Sequence, residues 1–139
     1  MIILALILNA FSSRYDCNMK ILIVEDDQVL ALMLQQMVRE MGYEVVDVVN
    51  KGADAIDKAT HLDCNLILMD IMLEDDIDGI EAYAKIKSAR DVPVIYITGN
   101  SDPMNKQRAE VIGFFDFIPK PVIFEELEEI IEKLVQEMS

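Results

Sequence analysis

The stretch KILIVEDDQVL, residues 20–30, decides the fold. Ile21 to Val24 form an apolar run of strand length without alternation, the pattern of a strand covered on both faces. Glu25, Asp26 and Asp27 follow at once, so three acids sit at the edge of a core. Carboxylates crowded there repel one another and are costly to desolvate. Something cationic has to offset that cost. From Val29 the apolar residues fall at helical spacing: Val29, Leu30, Met33, Leu34, Met37, Val38 and Met41. Asp27 is the expected N-cap of this helix and Gly42 its C′ residue. The methionine-rich face is expected to pack on the core.

The same alternation continues along the chain. EVVDVV (44–49) reads as a strand and GADAIDKATHL (52–62) as a short helix. NLILMD (65–70) is again apolar and again ends in an acid. A helix over 79–89, a strand at PVIYIT (93–98), a helix over 103–112 and a short strand at FFDFI (114–118) follow. After Pro121 comes an acidic amphipathic helix over 123–138. Five strands alternating with five helices, the strands lacking alternation, predict a parallel sheet wrapped by helices on both sides.

Composition narrows the function. The chain has 139 residues, 53% of them hydrophobic, which suits one domain with a real core. Its net charge is -14, with 26 acids against 12 Lys and Arg. No broad face can neutralise phosphates, so direct binding to nucleic acid or to anionic lipid is not expected. Cys17 and Cys64 lack CxxC spacing and are expected to be free thiols of a reducing, cytoplasmic environment. Residues 1–18, MIILALILNAFSSRYDCN, do not match the rest. Their apolar core of about eight residues is too short to span a bilayer, so no membrane span is expected. No basic residue precedes it, unlike a signal peptide. It is read as an N-terminal apolar extension outside a domain at 19–139. A functionless extension is favoured over a peripheral anchor or oligomer contact, and over a cleaved signal.

In an open parallel α/β sheet, ligands bind beyond the carboxyl ends of the strands. Glu25, Asp26 and Asp27 follow the first strand and Asp70 ends the third. Thr98 ends the fourth, and Lys120 follows the fifth. If the first, third, fourth and fifth strands are neighbours, with the second outside, these residues share one crevice. Glu25, Asp26 and Asp70 then make an anionic pocket whose cost is offset by a hard divalent cation such as Mg²⁺. The cation and Lys120 can share a phosphoryl group's charge, and Thr98 can donate a hydrogen bond to it.

This constellation resembles the receiver domain of two-component response regulators. The likeness runs from Met19 to about Met138. It rests on IVEDD, on the acid in LILMDIML followed by DG, on the hydroxyl in YITG and on KP in FIPKP. The resemblance implies a flavodoxin-like doubly wound sheet of strand order 2-1-3-4-5. It implies that Asp70 is phosphorylated and that Asp26, Asp70 and the backbone carbonyl of Met72 ligate Mg²⁺ or Mn²⁺. Glu25 would assist through a metal-bound water, and Thr98 and Lys120 would contact the phosphoryl group. Thr98 and Phe117 would form a switch, and the Lys120-Pro121 bond would be cis. The implied partners are a sensor histidine kinase or phosphotransfer protein, and a downstream protein bound at the face of the fourth helix, fifth strand and fifth helix. Such a protein catalyses only its own phosphorylation and dephosphorylation. No effector segment follows the receiver-like region, so action through a partner, or onward transfer of the phosphoryl group, is expected.

Two departures stand out. Glu74 occupies a position where the family often has proline, and the acidic loop after Leu73 is about one residue longer than usual. Asp27 is read as a cap only, and His61, alone near a helix end, as a surface residue rather than a relay histidine. Two rival functions remain. A small Mg²⁺-dependent phosphohydrolase using Asp70 as nucleophile would need a substrate cap or general acid, and no segment supplies one. A phosphorylation-independent interaction module would not need Asp26, Asp70, Thr98 and Lys120 together.

Overall fold

The computed structural model describes residues 19–99 and 102–138. The expectations for residues 1–18 lie outside them. Strand β1 (Lys20–Val24) organises the sheet. It pairs in parallel with β2 (Glu44–Val49) on one side and β3 (Leu66–Asp70) on the other. Beyond β3 lie β4 (Val94–Thr98) and β5 (Asp116–Pro119), giving the order β2-β1-β3-β4-β5, all parallel. The connections are α1 (Gln28–Glu40), α2 (Gly52–His61), α3 (Gly79–Ala89) and α4 (Pro103–Ile112), and α5 (Phe124–Met138) ends the described chain.

Side chains alternate across the strands, and both faces are apolar. Ile21, Ile23, Leu66, Leu68, Ile95 and Ile97 pack with Leu34 and Val38 of α1 and with Leu127 and Ile131 of α5. Leu22, Val24, Ile67, Met69, Val94 and Tyr96 pack with α2, α3 and α4. That is why the strands read as unbroken apolar runs. Burying each such aliphatic side chain contributes about 1.5–3 kcal/mol, so two-sided cover, more than helix propensity, holds the elements in place.

Local signals place the ends of α1. Asp27 Oδ1 accepts from the N–H groups of Val29 (3.0 Å) and Leu30 (3.2 Å). At the other end Gly42 adopts φ +88°. Its N–H donates to Arg39 O (3.0 Å) and that of Tyr43 to Val38 O (3.2 Å), a Schellman closure that needs the left-handed glycine.

Three expectations are corrected. The apolar face of α1 is not all core: Val29, Leu32 and Met33 are 69%, 62% and 45% exposed, while Ala31, Leu34, Val38 and Met41 are buried. Apolar residues run nearly round the first turns of this helix, and the sheet covers only one stripe of it. β5 begins at Asp116 rather than Phe114, because Gly113 (φ +92°) ends α4 and the chain turns before reaching register with Ile95. α5 begins one residue later than expected, at Phe124. The sequence pattern also gave no sign of the irregularity in β2. Ile21 pairs with Val45 and Leu22 with Asp47, which leaves Val46 as an extra residue.

Candidate functional site

The strand order carries β1, β3, β4 and β5 to one crevice and leaves β2 outside it. Glu25 extends β1 by one ladder bond, its N–H donating to Val49 O (3.0 Å). Its side chain is buried, at 2% exposure. Oε2 accepts from the N–H of Asp27 (3.1 Å). Oε1 lies 3.1 Å from Lys120 Nζ but off the hydrogen-bonding direction, so that contact is ionic and the buried oxygen has no hydrogen bond.

Asp70, at the end of β3, is also 2% exposed. Its two oxygens are held from different sides: Oδ1 accepts from the N–H of Met72 (3.1 Å) and Oδ2 from Lys120 Nζ (3.2 Å). Asp26 is half-buried, and its Oδ2 accepts from the N–H of Glu74 (3.0 Å). One oxygen from each of Glu25, Asp26 and Asp70 lies within 4.8 Å of the others. Lys120 is registered against β4, its N–H donating to Thr98 O (2.9 Å), and the Lys120-Pro121 bond is cis.

Electrostatics follow from this crowding. Burial, and then the neighbouring Asp70, push the Glu25 carboxyl up to about 7, with the Asp27 N–H and Lys120 only partly opposing them. Burial pulls Lys120 down, but Glu25 and Asp70 outweigh it and hold the ammonium above the usual lysine range. One ammonium thus contacts two of the three clustered carboxyl groups. An all-oxygen donor set, with one buried oxygen lacking a hydrogen bond, fits a hard divalent cation.

Thr98 and Phe117 line a groove of ≈ 410 Å³ beside the crevice, with Ile71, Asp102, Lys106 and Phe114. Phe117 packs on Phe114 (4.4 Å between centroids, 74°) and on Tyr96 (5.3 Å, 32°). The Met72 side chain is 61% exposed at the crevice rim. His61 is exposed and bonded to its own helix at Asp57 O (2.8 Å).

A comparison with known families decides what this crevice belongs to. The response regulator receiver domain matches residues 21–132. The chain belongs to that family. The receiver domain is the part of a response regulator that serves two-component systems. The chain is similar to the response regulator ArlR of Staphylococcus aureus (strain Mu50 / ATCC 700699), 40% identical over 108 residues. That match takes in 78% of this chain and 48% of the relative, so the chain spans about half the length of the curated relatives it matches. Among solved structures, a CheY-like receiver domain protein from Methanospirillum hungatei JF-1 superposes with a TM-score of 0.80 at 30% identity, over 86% of this chain and 94% of that one. The receiver domain of the sensor histidine kinase PA1611 from Pseudomonas aeruginosa PAO1, solved with a magnesium ion in its active site cleft, gives 0.76 at 30% identity, over 86% and 98%. Receiver domains bind Mg²⁺ at an acidic pocket, and Glu25, Asp26 and Asp70 form such a cluster here. Among the described residues no helix is long and apolar enough to cross a membrane.

Two features of this receiver domain escaped sequence reasoning. The long loop's Glu74 orients Asp26 through its backbone N–H, which no side-chain pattern encodes. Asp78 faces Arg108 of α4 at 2.7 Å. Nothing in the sequence marked this partner, thirty residues on.

Proposed function

We propose that Asp70 accepts a phosphoryl group from the phosphohistidine of a kinase or phosphotransfer protein, and that this changes which protein binds the face of α4, β5 and α5. The observation that carries the reading is the state of Asp70. It is a buried carboxylate with one oxygen on Lys120, the other on the Met72 N–H, and two further acids within 4.8 Å. Buried acids crowded in this way make chemical sense where a cation and a phosphoryl group are to be received.

Asp26, Asp70 and the Met72 carbonyl would hold Mg²⁺, with Glu25 acting through water. When bound, the ion supplies countercharge to the phosphoryl oxygens. A carboxylate oxygen of Asp70 forms the new bond to phosphorus as the P–N bond breaks, and the electron pair leaves with the histidine ring. The Lys120 ammonium transfers its contact from carboxylate to phosphoryl oxygen. Thr98 donates its hydroxyl to that group, and Phe117 follows into the groove that both residues line. The chain's own Asp70 is the acceptor and stays modified when the donor leaves, so the chain acts as a switch rather than a turnover enzyme. The domain is assigned to residues 19–139, with residues 1–18 outside it.

Acetyl phosphate with Mg²⁺ tests the reading by intact-mass spectrometry. One added phosphoryl group is expected in the wild type and none in Asp70→Asn, because an amide is a poor nucleophile at phosphorus. No gain in the wild type, or an equal gain in the variant, overturns it. Turnover of a phosphate ester would favour a phosphohydrolase instead.

A further inference from the structure

Helix α4 is the most lightly embedded of the helices. Only Ala109 of its ten residues is buried, and Met104 and Val111 are 71% and 86% exposed. Elements with so little buried apolar surface sit at the low-stability end of a fold. Polar ties from α3 and its cap therefore matter. Lys87 Nζ donates to Ile112 O at the far end of α4 (2.7 Å). Nearer the crevice, the Arg108 guanidinium meets Asp78 fork to fork, Nη1 to Oδ2 at 2.7 Å and Nη2 to Oδ1 at 3.2 Å. Nη1 also donates to Asn105 Oδ1 (3.0 Å), and Nη2 lies 3.9 Å from Glu81 Oε1.

Asp78 is not an arbitrary anchor. It caps α3, its Oδ1 accepting from the N–H of Glu81 (2.9 Å). The next residue, Gly79, donates its N–H to Ile71 O (2.9 Å), and a Cβ there would lie 2.2 Å from Asp70 O. Any shift of the backbone at the end of β3 is thus transmitted to Asp78 with little slack. Within electrostatic reach of the pair is Tyr96. Its side chain is 0% exposed and its hydroxyl has no hydrogen bond, whereas the Tyr83 hydroxyl donates to Val92 O (2.6 Å). Asp78 and Arg108 are among the charges acting on the Tyr96 phenol. A buried hydroxyl left without a partner is costly, and it is relieved if the guanidinium or carboxylate turns toward it.

We propose that the Arg108–Asp78 pair is a latch by which the loop after Asp70 sets the position of α4, with the Tyr96 hydroxyl as the second partner of the pair when the latch opens. The inference rests on Asp70 being the phosphoryl acceptor, and it adds a route separate from Thr98 and Phe117. The pair is partly exposed, at 39% and 26% for the two side chains, so water competes for it. It therefore biases the position of α4 by a small factor and leaves the fold to the core.

The test is amide hydrogen exchange of α4 in the full chain, with and without beryllofluoride and Mg²⁺, alongside acetyl phosphate labelling of Asp70. Arg108→Gln should speed exchange across α4 by about 2- to 5-fold before any phosphoryl mimic is added, as expected for a half-exposed pair. Asp78→Asn keeps the helix cap and should do the same. The double variant should add nothing beyond either single one. Tyr96→Phe should leave the free state unchanged and shrink the beryllofluoride-induced change in α4. Wild-type exchange across α4 in both Arg108→Gln and Asp78→Asn overturns the latch. An undiminished response in Tyr96→Phe overturns the role of the hydroxyl. Absence of labelling in the wild type would instead defeat the acceptor reading, and the free-state exchange would still judge the latch.

Discussion

Gly79→Ala separates packing from helix propensity, because the two predict opposite signs. Gly79 opens α3, and in a helix Gly to Ala is ordinarily favourable, by up to about 1 kcal/mol. Here the new Cβ would lie 2.2 Å from Asp70 O, 2.9 Å from Met69 Cγ and 3.1 Å from Asp70 C. The closest of these is backbone, and it cannot yield easily. Asp70 is the last residue of a strand paired on both sides, and the Gly79 N–H is itself bonded to Ile71 O at 2.9 Å. Overpacking of this kind costs about 1–3 kcal/mol, which lowers Tm by roughly 4–12 °C for a chain of this size. Thermal unfolding followed by circular dichroism measures it, and two other glycines calibrate it. Gly52→Ala would press on the Ile77 side chain at 2.6 and 2.9 Å, which can rotate away, so its loss should be smaller. Gly99→Ala meets nothing nearer than Lys120 Cδ at 3.7 Å and should lie within about 0.5 kcal/mol of wild type. A Gly79→Ala protein as stable as wild type, or a reversed order of the three, would refute the tight coupling of α3 to the acceptor strand.

Mg²⁺ at about a hundred times its dissociation constant should stabilise the chain by about 2.7 kcal/mol; Asp26→Asn should abolish most of that rise in Tm, and an unchanged response removes Asp26 from the ligand set. Deleting residues 1–18 should leave unfolding and Asp70 labelling as they are, since Met19 already sits in the core at 4% exposure; loss of either would make that segment structural. Loss of label over time should be faster in Met72→Asn than in wild type, and less so in Met72→Ala, because the side chain stands at the rim beside Asp70; equal or slower loss in both means that Met72 does not shield the acyl phosphate.

The sheet was legible because both its faces are covered. Ile21 to Val24 and Leu66 to Met69 are buried throughout, and that demand writes itself as unbroken apolar runs. Strand ends then pointed to Glu25, Asp26, Asp70, Thr98 and Lys120, since topology fixes where strand ends go. Long-range polar partners were not legible. Arg108 finds Asp78, and the Glu74 N–H finds Asp26, across 30 and 48 residues, through loop conformations that no local propensity encodes. The exposed Val29 and Met33 show a different limit. Periodicity says that a helix is apolar on a face, but only tertiary packing says how wide the covered stripe is.

Glu25 gives the site a signature in stability against pH that requires no phosphodonor. In metal-free protein its carboxyl is pushed up to about 7 from an ordinary value of 4.5, chiefly by burial. The folded state therefore binds more protons than the unfolded state between those values, so stability falls as pH rises through that window. Complete ionisation above pH 7 costs on the order of 3 kcal/mol by linkage, an upper bound because water entering the crevice screens the charge. Asp78 is held below its usual range against the effect of burial, by Arg108 and by backbone N–H groups, and so acts only at lower pH. Lys120, held above its usual range, acts only at higher pH. The window thus belongs to Glu25. Urea unfolding in EDTA at pH 5, 6, 7 and 8 should show a declining midpoint in the wild type and a flatter profile in Glu25→Gln. Mg²⁺ should restore more stability at pH 8 than at pH 5, because the cation replaces the proton as the partner of the ionised pocket. An equal slope in Glu25→Gln, or an Mg²⁺ effect independent of pH, would mean that the three carboxylates do not share their charge in the way the geometry requires.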